Sequence, residues 1–392
     1  MRGFTNNEIA TIRYLLYPYK VQITDEFDDA DVVVGTNDFS DFSKPLVKVS
    51  TRSTLRDLCE NAIDDGNGIA ELPSVLIQRC TEKFTRVLNP KIAFTYKVAT
   101  RMAFRYNLIP SSIRSWFLRK HDADLSLTNH LTNEIARKAL VDAFRIIGLR
   151  LERKRPPALF VTHDIDTAKG LDNAPSLKAI EETLAIQSIW FLPSDEYPIS
   201  GQIAKQLVDG STIGSHDVRH DGRLIHIKKH DELVERLTRS KLKLQDIFGT
   251  SVKCFRAPLL QCSQEIVAAL NEAGYEADFS IPCWEPAHPS SMGGFGIESV
   301  HDFEINGVIE HPLTLFQDHQ VLFVLRMSTH EAIKFWMKQA EIVHALQGDI
   351  VLLIHPDFSF SQELDAYKEL LKSLQTLSSS EQQFERLPVE CN

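Results

Sequence analysis

Two short segments of the chain combine carboxylates with histidines. Asp164 and Asp166 lie in the segment 162–166, and His216 and His220 follow about fifty residues later, four positions apart. One carboxylate and two imidazoles form a ligand set for catalytic Zn²⁺, and Fe, Co, Ni or Mn accept similar ligands. The remaining aspartate, Asp164, is then a candidate base that removes a proton from metal-bound water. These residue types therefore predict a divalent-metal centre that activates water, with Zn²⁺ as the first choice.

Two further polar side chains follow apolar runs. His355 ends the run 351–354, where a general acid could protonate a leaving amine. Arg256 follows the run 252–255, where its guanidinium could pair with and orient Asp164. Each has a structural alternative, since a strand-end histidine can be satisfied by the backbone and an arginine can form a structural ion pair. The metal motif also has structural alternatives: Asp164 could cap a turn, and His216 and His220 could be exposed histidines of a loop.

The elements that must position these residues alternate regularly after Pro157. Predicted strands occupy 158–162, 188–192, 212–215, 252–255, 275–279, 308–310 and 350–354. Predicted helices occupy 231–248, 264–273, 331–346 and 362–377. This alternation predicts a parallel α/β domain closed into a barrel, in which chemistry gathers at the carboxyl ends of the strands. The Asp, His and Arg residues singled out above each follow a predicted strand.

The first 150 residues show a different pattern. A helix is predicted over 8–16, strand-like runs follow at 21–24, 31–35 and 45–49, and the segment 72–147 is mainly helical. The basic, proline-ended stretch 150–157 reads as a solvated hinge. We therefore predict a smaller α/β-to-helical domain of unassigned role over 1–150, followed by the barrel over 157–392.

Charge and hydropathy narrow the partners. The chain has 43 basic and 53 acidic residues and a net charge of −10, which argues against nucleic acid and anionic membranes. It contains no run of about eighteen apolar residues, so no membrane span is expected. It also begins without the apolar core of a signal peptide, and its six cysteines lack a CxxC pair, so we expect a cytoplasmic protein with reduced thiols. The oligomeric state stays open.

Five motifs in order make the chain resemble the polysaccharide deacetylases, the NodB-homology carbohydrate esterases, over about residues 157 to 380. The matching segments are Thr162–Asp166, His216–His220, Arg256–Pro258, Asp278–Trp284 and Leu352–His355. The resemblance implies a distorted (β/α) barrel and metal-dependent removal of acetyl groups from N-acetylated sugars.

The resemblance also implies a role for each matching residue. Asp166, His216 and His220 would bind the metal. Asp164 would be the base and Arg256 would tune it, while His355 would be the acid with Asp278 holding and tuning it. The backbone near Leu260 would help to stabilise the oxyanion.

The chain departs from the family pattern at three places. The first motif reads His-Asp-Ile-Asp where many members have Phe-Asp-Asp, and Leu260 stands where a tyrosine is usual. The spacing from Asp278 to Trp284 is also not the usual one. These departures bear on the division of roles between Asp164 and Asp166, and on the substrate contacts.

The leading hypothesis is a deacetylase acting on an N-acetylated saccharide or saccharide precursor, such as a nucleotide-linked, lipid-linked or short-oligosaccharide one. A hydrolase of another C–N or ester bond on the same barrel is an alternative. A non-haem iron oxygenase uses similar ligands but leaves Asp164 and His355 without a role. A non-catalytic saccharide-binding protein would need neither a base nor an acid.

Overall fold

The computed structural model describes residues 4–22, 33–35, 46–50, 63–64, 69–90, 126–286, 295–358, 360 and 363–380. The chain divides into two compact units, one comprising residues 1–86, 128–156 and 389–392, the other 87–127 and 157–388. The longer segment of the second unit begins at Pro157, the last residue of the basic stretch 150–157. Within the described residues, no helix is both long and apolar enough to span a membrane.

Among its described residues, the first unit has a small four-stranded sheet and three α-helices. The strands are Val33–Gly35 (β1), Leu46–Ser50 (β2), Ile63–Asp64 (β3) and Ile69–Pro73 (β4), in the order β1-β2-β4-β3. The helices are Asn6–Leu16 (α1), Ser74–Leu88 (α2) and Thr132–Ile146 (α3). Apolar side chains such as Leu15, Val47 and Leu140 form its core.

Two of the three strand-like runs predicted in this unit contain the strands β1 and β2. Of the third run, residues 21 and 22 are not in a strand, and 23–24 lie outside the described residues. Helix α1 begins two residues before its predicted start, because Thr5 and Glu8 form a reciprocal capping box there. Much of the segment 72–147 likewise lies outside the described residues.

The second unit is built on an eight-stranded sheet. Its strands are Leu159–Asp164 (β5), Ile189–Leu192 (β6), Thr212–Ser215 (β7), Cys254–Phe255 (β8), Ala277–Asp278 (β9), Phe303–Ile305 (β10), Val308–Glu310 (β11) and Ile350–Ile354 (β12). Their order is β10-β11-β9-β8-β7-β6-β5-β12, and every neighbouring pair is parallel except β10 with β11. The parallel order brings the carboxyl ends of β5 to β9 and β12 to one rim.

A segment that follows β11 curls this sheet into a barrel. Leu313 accepts the N–H of Cys283 at 2.8 Å and donates to Ile281 at 2.9 Å, while Leu315 donates to Val351 of β12 at 3.2 Å. The segment therefore bridges the space between the β9 side and the β12 side of the sheet. Apolar side chains fill the interior: Ile189, Phe191, Leu260, Phe279, Leu313, Val351 and Leu353. The predicted distorted (β/α) barrel is confirmed.

In the part of this unit that the structure describes, six α-helices pack around the sheet: Ala168–Thr183 (α4), Gly201–Val208 (α5), His230–Phe248 (α6), Gln264–Glu272 (α7), Thr329–Ala345 (α8) and Leu364–Ser378 (α9). Four of them match predicted helices to within two residues at each end, whereas α4 and α5 were missed. Helix α4 contains Pro175, which ordinarily breaks a helix, yet it forms because Leu171 and Leu177 are buried and Thr167 caps its first turn. The strand β10 was also missed.

Candidate active site

Three predicted ligands meet at the carboxyl rim of the barrel. Asp166 follows β5, and its Oδ1 lies 3.5 Å from His216 Nε2 and 3.5 Å from His220 Nε2. All three donor atoms lie within 4.8 Å of one another. Ligand atoms bound to zinc at about 2.0–2.1 Å in a tetrahedron are separated by about 3.3–3.4 Å. The spacing therefore suits one small divalent cation.

The hydrogen bonds around these atoms also fit a metal. His216 Nδ1 lies 2.8 Å from the carbonyl of Arg256, so the ring donates there and presents Nε2 with a free lone pair. His216 Nε2 and Asp166 Oδ1 are both buried, and neither has a hydrogen-bond partner. A cation between them would satisfy both atoms, so the residues present fit a divalent metal.

The charges of the site keep Asp166 available as a ligand. Burial acts to raise the pKa of Asp166, but the nearby imidazoles of His220, His216 and His355 lower it well below the ordinary value. Burial acts to lower the pKa of His216, and Asp164 and Asp166 outweigh it and raise that pKa. The carboxylate is thus ionised, and any proton on His216 Nε2 must leave when a metal binds there.

The two histidines come together through a loop and not through a helical turn. Residues 216–220 carry no helix, and Asp217 has a left-handed φ of 65°. This turn directly after β7 brings the rings of His216 and His220 to 5.4 Å between centroids. The spacing of four therefore does not reflect a helical turn here, and the loop still lets the two residues face the same carboxylate.

The candidate base Asp164 ends β5 and is held by Arg256. Arg256 Nη1 lies 3.0 Å from Asp164 Oδ1 and 2.8 Å from Thr162 Oγ1, and its Nε donates to the carbonyl of Phe279 at 2.9 Å. The guanidinium also stacks 4.6 Å from the ring centroid of Phe191. Asp164 Oδ2 remains on the metal side, 3.9 Å from His216 Nε2. Arg256 therefore orients one oxygen of Asp164 and leaves the other towards the ligand set.

The candidate acid His355 directly follows β12, and its partner is Asp318. His355 Nδ1 lies 2.5 Å from Asp318 Oδ1, and the backbone N–H of His355 donates to Asp318 Oδ2 at 2.8 Å. Burial acts to lower the pKa of His355, but Asp318, with further help from Asp166 and Asp164, raises it to about 10. His355 is therefore protonated at neutral pH, with Nε2 left to carry a transferable proton.

The prediction that Asp278 holds His355 was wrong about this contact. Asp278 lies in β9 opposite Glu310 of β11 and accepts a 2.5 Å hydrogen bond from Ser280. Burial raises the pKa of Asp278 to about 6 and that of Glu310 well above its usual value. Sequence reasoning missed Asp318, which lies two residues after the mainly apolar stretch Leu313–Phe316, with Gln317 between.

The predicted oxyanion segment near Leu260 forms a tight turn. The N–H of Leu260 bonds to the carbonyl of Ala257 at 3.0 Å, so the turn already uses this donor. Leu259 and Leu260 both have left-handed φ values, 59° and 51°, and the Leu260 side chain packs into the barrel interior. Trp284 lies on the loop after β9, half-buried.

Two residues outside the predicted set hold the segment that joins Asp164 and Asp166. The Tyr197 hydroxyl donates to the carbonyl of Ile165 at 2.5 Å. Asp357 accepts the N–H of Asp166 at 3.3 Å and the hydroxyl of Thr167. Because Asp357 lies two residues after His355, it ties the loop of the candidate acid to the loop of the metal ligand.

The chain is similar to one protein family and to several solved structures. Residues 156–277 match the family model described as polysaccharide deacetylase. The search of curated proteins finds no significant match. Among solved structures, the chain is similar to a Mycobacterium smegmatis protein provisionally named a polysaccharide deacetylase, with 16% identity and a TM-score of 0.46. That alignment covers 58% of this chain and 87% of the other.

The chain is also similar to two other solved structures. The chitin deacetylase from Colletotrichum lindemuthianum is 14% identical, with a TM-score of 0.40 and coverage of 57% of this chain and 84% of that one. A CE4 family pseudoenzyme from Bacillus anthracis is 16% identical, with a TM-score of 0.39 and coverage of 57% and 62%. The match to the polysaccharide deacetylase family model covers residues 156–277, which include Asp164, Asp166, His216, His220 and Arg256.

Proposed function

We propose that this chain is a metal-dependent hydrolase that removes acetyl groups from N-acetylated saccharides. The match of residues 156–277 to the polysaccharide deacetylase family supports deacetylase activity. The observation that carries the finer proposal is the assembly at one rim of three metal-ligand atoms, an arginine-held carboxylate and a protonated histidine. A merely binding protein would have no use for both a base and an acid beside one ligand set.

The residues divide the chemistry as follows. Asp166, His216 and His220 would hold the cation, which when bound acidifies a water molecule and polarises the acetamide carbonyl. Asp164 accepts the proton of the attacking water on Oδ2, since Arg256 occupies its Oδ1. Arg256 fixes the direction of that carboxylate because the guanidinium is itself bonded to two other groups.

His355 supplies the proton that the leaving amine needs. Its Nδ1 is engaged by Asp318, so Nε2 is the nitrogen that donates to the departing amine. The Asp318 carboxylate fixes the ring orientation and stabilises the imidazolium form before transfer. An amine that leaves with this proton cannot re-attack as an anion, so collapse towards acetate and the free amino sugar is favoured.

The test uses the full chain stripped of metal and reloaded with Zn²⁺. Acetate release is measured on N-acetylglucosamine oligosaccharides, on nucleotide-linked N-acetyl sugars and on an O-acetylated xylan. We expect about one bound metal per chain and acetate release from an N-acetylated substrate, lost when the metal is removed. His216→Ala, which removes one proposed ligand, is tested in the same way. His230→Ala is its matched control, because His230 is an exposed histidine paired with Glu272 on the protein surface.

Three results separate the alternatives. Release from the O-acetyl ester alone would assign ester hydrolysis in place of amide hydrolysis. Saccharide binding without any turnover in the metal-loaded protein would assign a binding role. Metal-independent release of acetate would contradict the proposed mechanism.

A further inference from the structure

The residue between the two metal-ligand histidines has its own buried partner. Asp217 follows His216 directly and is fully buried, and its φ of 65° makes the turn that brings His220 back to Asp166. A left-handed backbone is uncommon outside glycine, although aspartate tolerates it better than most residues. The ligand geometry therefore depends on a backbone conformation that the chain must be held in.

Arg236 of helix α6 provides the most direct hold on Asp217. Its Nε lies 2.9 Å and 3.1 Å from the two carboxylate oxygens of Asp217, and its Nη2 lies 2.8 Å from Oδ2. The same Nη2 donates to Asp221 Oδ1 at 3.0 Å. One planar guanidinium thus binds the residues that follow His216 and His220, one on each side of the ligand loop 216–221.

Helix α6 and the segment after β6 also bind the backbone of the loop. The carbonyl of Asp217 accepts from Ser240 Oγ of α6 at 2.7 Å and from the N–H of Ser194 at 3.1 Å. The carbonyl of Val218 accepts from the N–H of Asp195 at 2.9 Å. In the second half of the loop, the N–H of His220 donates to Glu196 Oε2 at 3.2 Å, and Arg236 binds the side chain of the next residue, Asp221. Arg236 therefore contacts both halves of the loop through side chains.

We propose that Arg236 is a positioning residue of the metal centre, which holds the ligand loop so that His216 and His220 face Asp166 together. The inference rests on the proposed metal-dependent function and deepens it, since it assigns the source of the ligand geometry. The planar guanidinium is essential to the role, because it contacts both carboxylate oxygens of Asp217 and one oxygen of Asp221. The single ammonium of a lysine cannot reproduce this arrangement. Arg236 touches neither ligand atom, so it acts through the loop alone.

The test measures metal binding and not only turnover. Co²⁺ affinity by chelator competition and the Co²⁺ absorption spectrum are compared for the wild type, Arg236→Ala and Arg236→Lys, at a temperature where circular dichroism shows each folded. We expect Arg236→Ala to lose at least about tenfold in affinity and to change the spectrum, as removal of groups that orient metal ligands ordinarily does. Arg236→Lys should fold and recover only part of the loss, and it decides the matter if Arg236→Ala does not fold.

Arg239→Ala is the matched control, because Arg239 is an exposed arginine on the same helix. It should bind Co²⁺ as the wild type does. Wild-type affinity and spectrum in the folded Arg236 variants would overturn the inference while leaving the proposed function intact. Co²⁺ binding that depends on Arg236, in a protein that releases no acetate, would support the inference and contradict the proposed function. A wild type that binds no metal would overturn both.

Discussion

The Asp318 carboxylate contacts His355 through both of its oxygens. Oδ1 lies 2.5 Å from the ring Nδ1, and Oδ2 accepts the backbone N–H at 2.8 Å. Asp318 is fully buried, so the two contacts fix the ring and the chain at the same place. The candidate acid is therefore oriented by a residue 37 positions earlier in the chain and not by the aspartate of the fourth motif.

Replacing Asp318 should change the pH dependence of turnover. Because Asp318 raises the pKa of His355, Asp318→Asn should lower that pKa and move the alkaline limb of kcat to lower pH by at least about one unit. We expect kcat at neutral pH to fall about 10- to 100-fold. The measurement is a pH–kcat profile for acetate release. Asp278→Asn is the matched control, since Asp278 contacts Ser280 in place of His355; an equal shift in both variants would contradict this assignment.

Substitutions of the two aspartates of the first motif should have different effects on metal binding. Asp164→Asn should keep the metal and lose about 10²- to 10⁴-fold in kcat, because a base is removed while the ligand atoms remain. Asp166→Ala should lose the metal itself, since Oδ1 of Asp166 is the oxygen nearest to both histidines. Metal content by elemental analysis and acetate release decide the matter. Metal loss in Asp164→Asn with metal retention in Asp166→Ala would reverse the assigned roles.

A methyl group at Gly170 should disturb the segment that carries Asp166. A Cβ built at Gly170 would lie 2.3 Å from the Asp357 Oδ2. Asp357 must then move away from the N–H of Asp166 and the Thr167 hydroxyl. The loss of these hydrogen bonds should lower the free energy of unfolding by about 1–2 kcal/mol.

Chemical denaturation of Gly170→Ala measures this change. Gly201→Ala is the control, because nothing lies within 4 Å of a Cβ built there at the start of another helix. That variant should be unchanged or up to about 1 kcal/mol more stable. Equal stability of the two variants would argue against the close approach of Asp357.

The histidine of the first motif should make stability depend on a buried acid. His163 lies 2.6 Å from Glu181 Oε1 and stacks on Trp190 at 3.9 Å between centroids. Burial acts to raise the pKa of Glu181, but the neighbouring imidazole of His163 and hydrogen bonds, including one from Tyr367, lower that pKa below its ordinary value. The carboxylate therefore stabilises the fold above the unfolded pKa, and this contribution is lost as pH falls through the lower folded pKa.

Glu181→Gln should accordingly cost about 3–5 kcal/mol at pH 7, and the difference from wild type should shrink in acid. The free energy of unfolding is measured at pH 7 and at about pH 3.5 by denaturant titration. Glu235→Gln, at an exposed position of α6, should change stability by less than about 0.5 kcal/mol at either pH. A Glu181→Gln penalty that grows on acidification would have the wrong sign for this pairing.

The departure at the first motif has a physical explanation in the fold. His163 points to the outer side of β5, where its two ring nitrogens meet the carbonyl of Ile354 and the carboxylate of Glu181. Asp164 points to the opposite side, towards Arg256. The histidine in place of the usual phenylalanine therefore supports the strand and leaves the base on the inner face.

The sequence by itself determined the residue types at the strand ends, because apolar runs and the polar residue after each run are local properties. Asp164, Asp166, His216, Arg256 and His355 could be read this way, together with the parallel barrel that collects them. Only the tertiary structure decided which of these groups meet. Asp318 reaches His355 because the segment after β11 lies along β12, and Asp278 faces Glu310 because β9 pairs with β11. Those contacts join residues far apart in the chain, and their partners are set by strand order and side-chain direction, which local patterns do not contain.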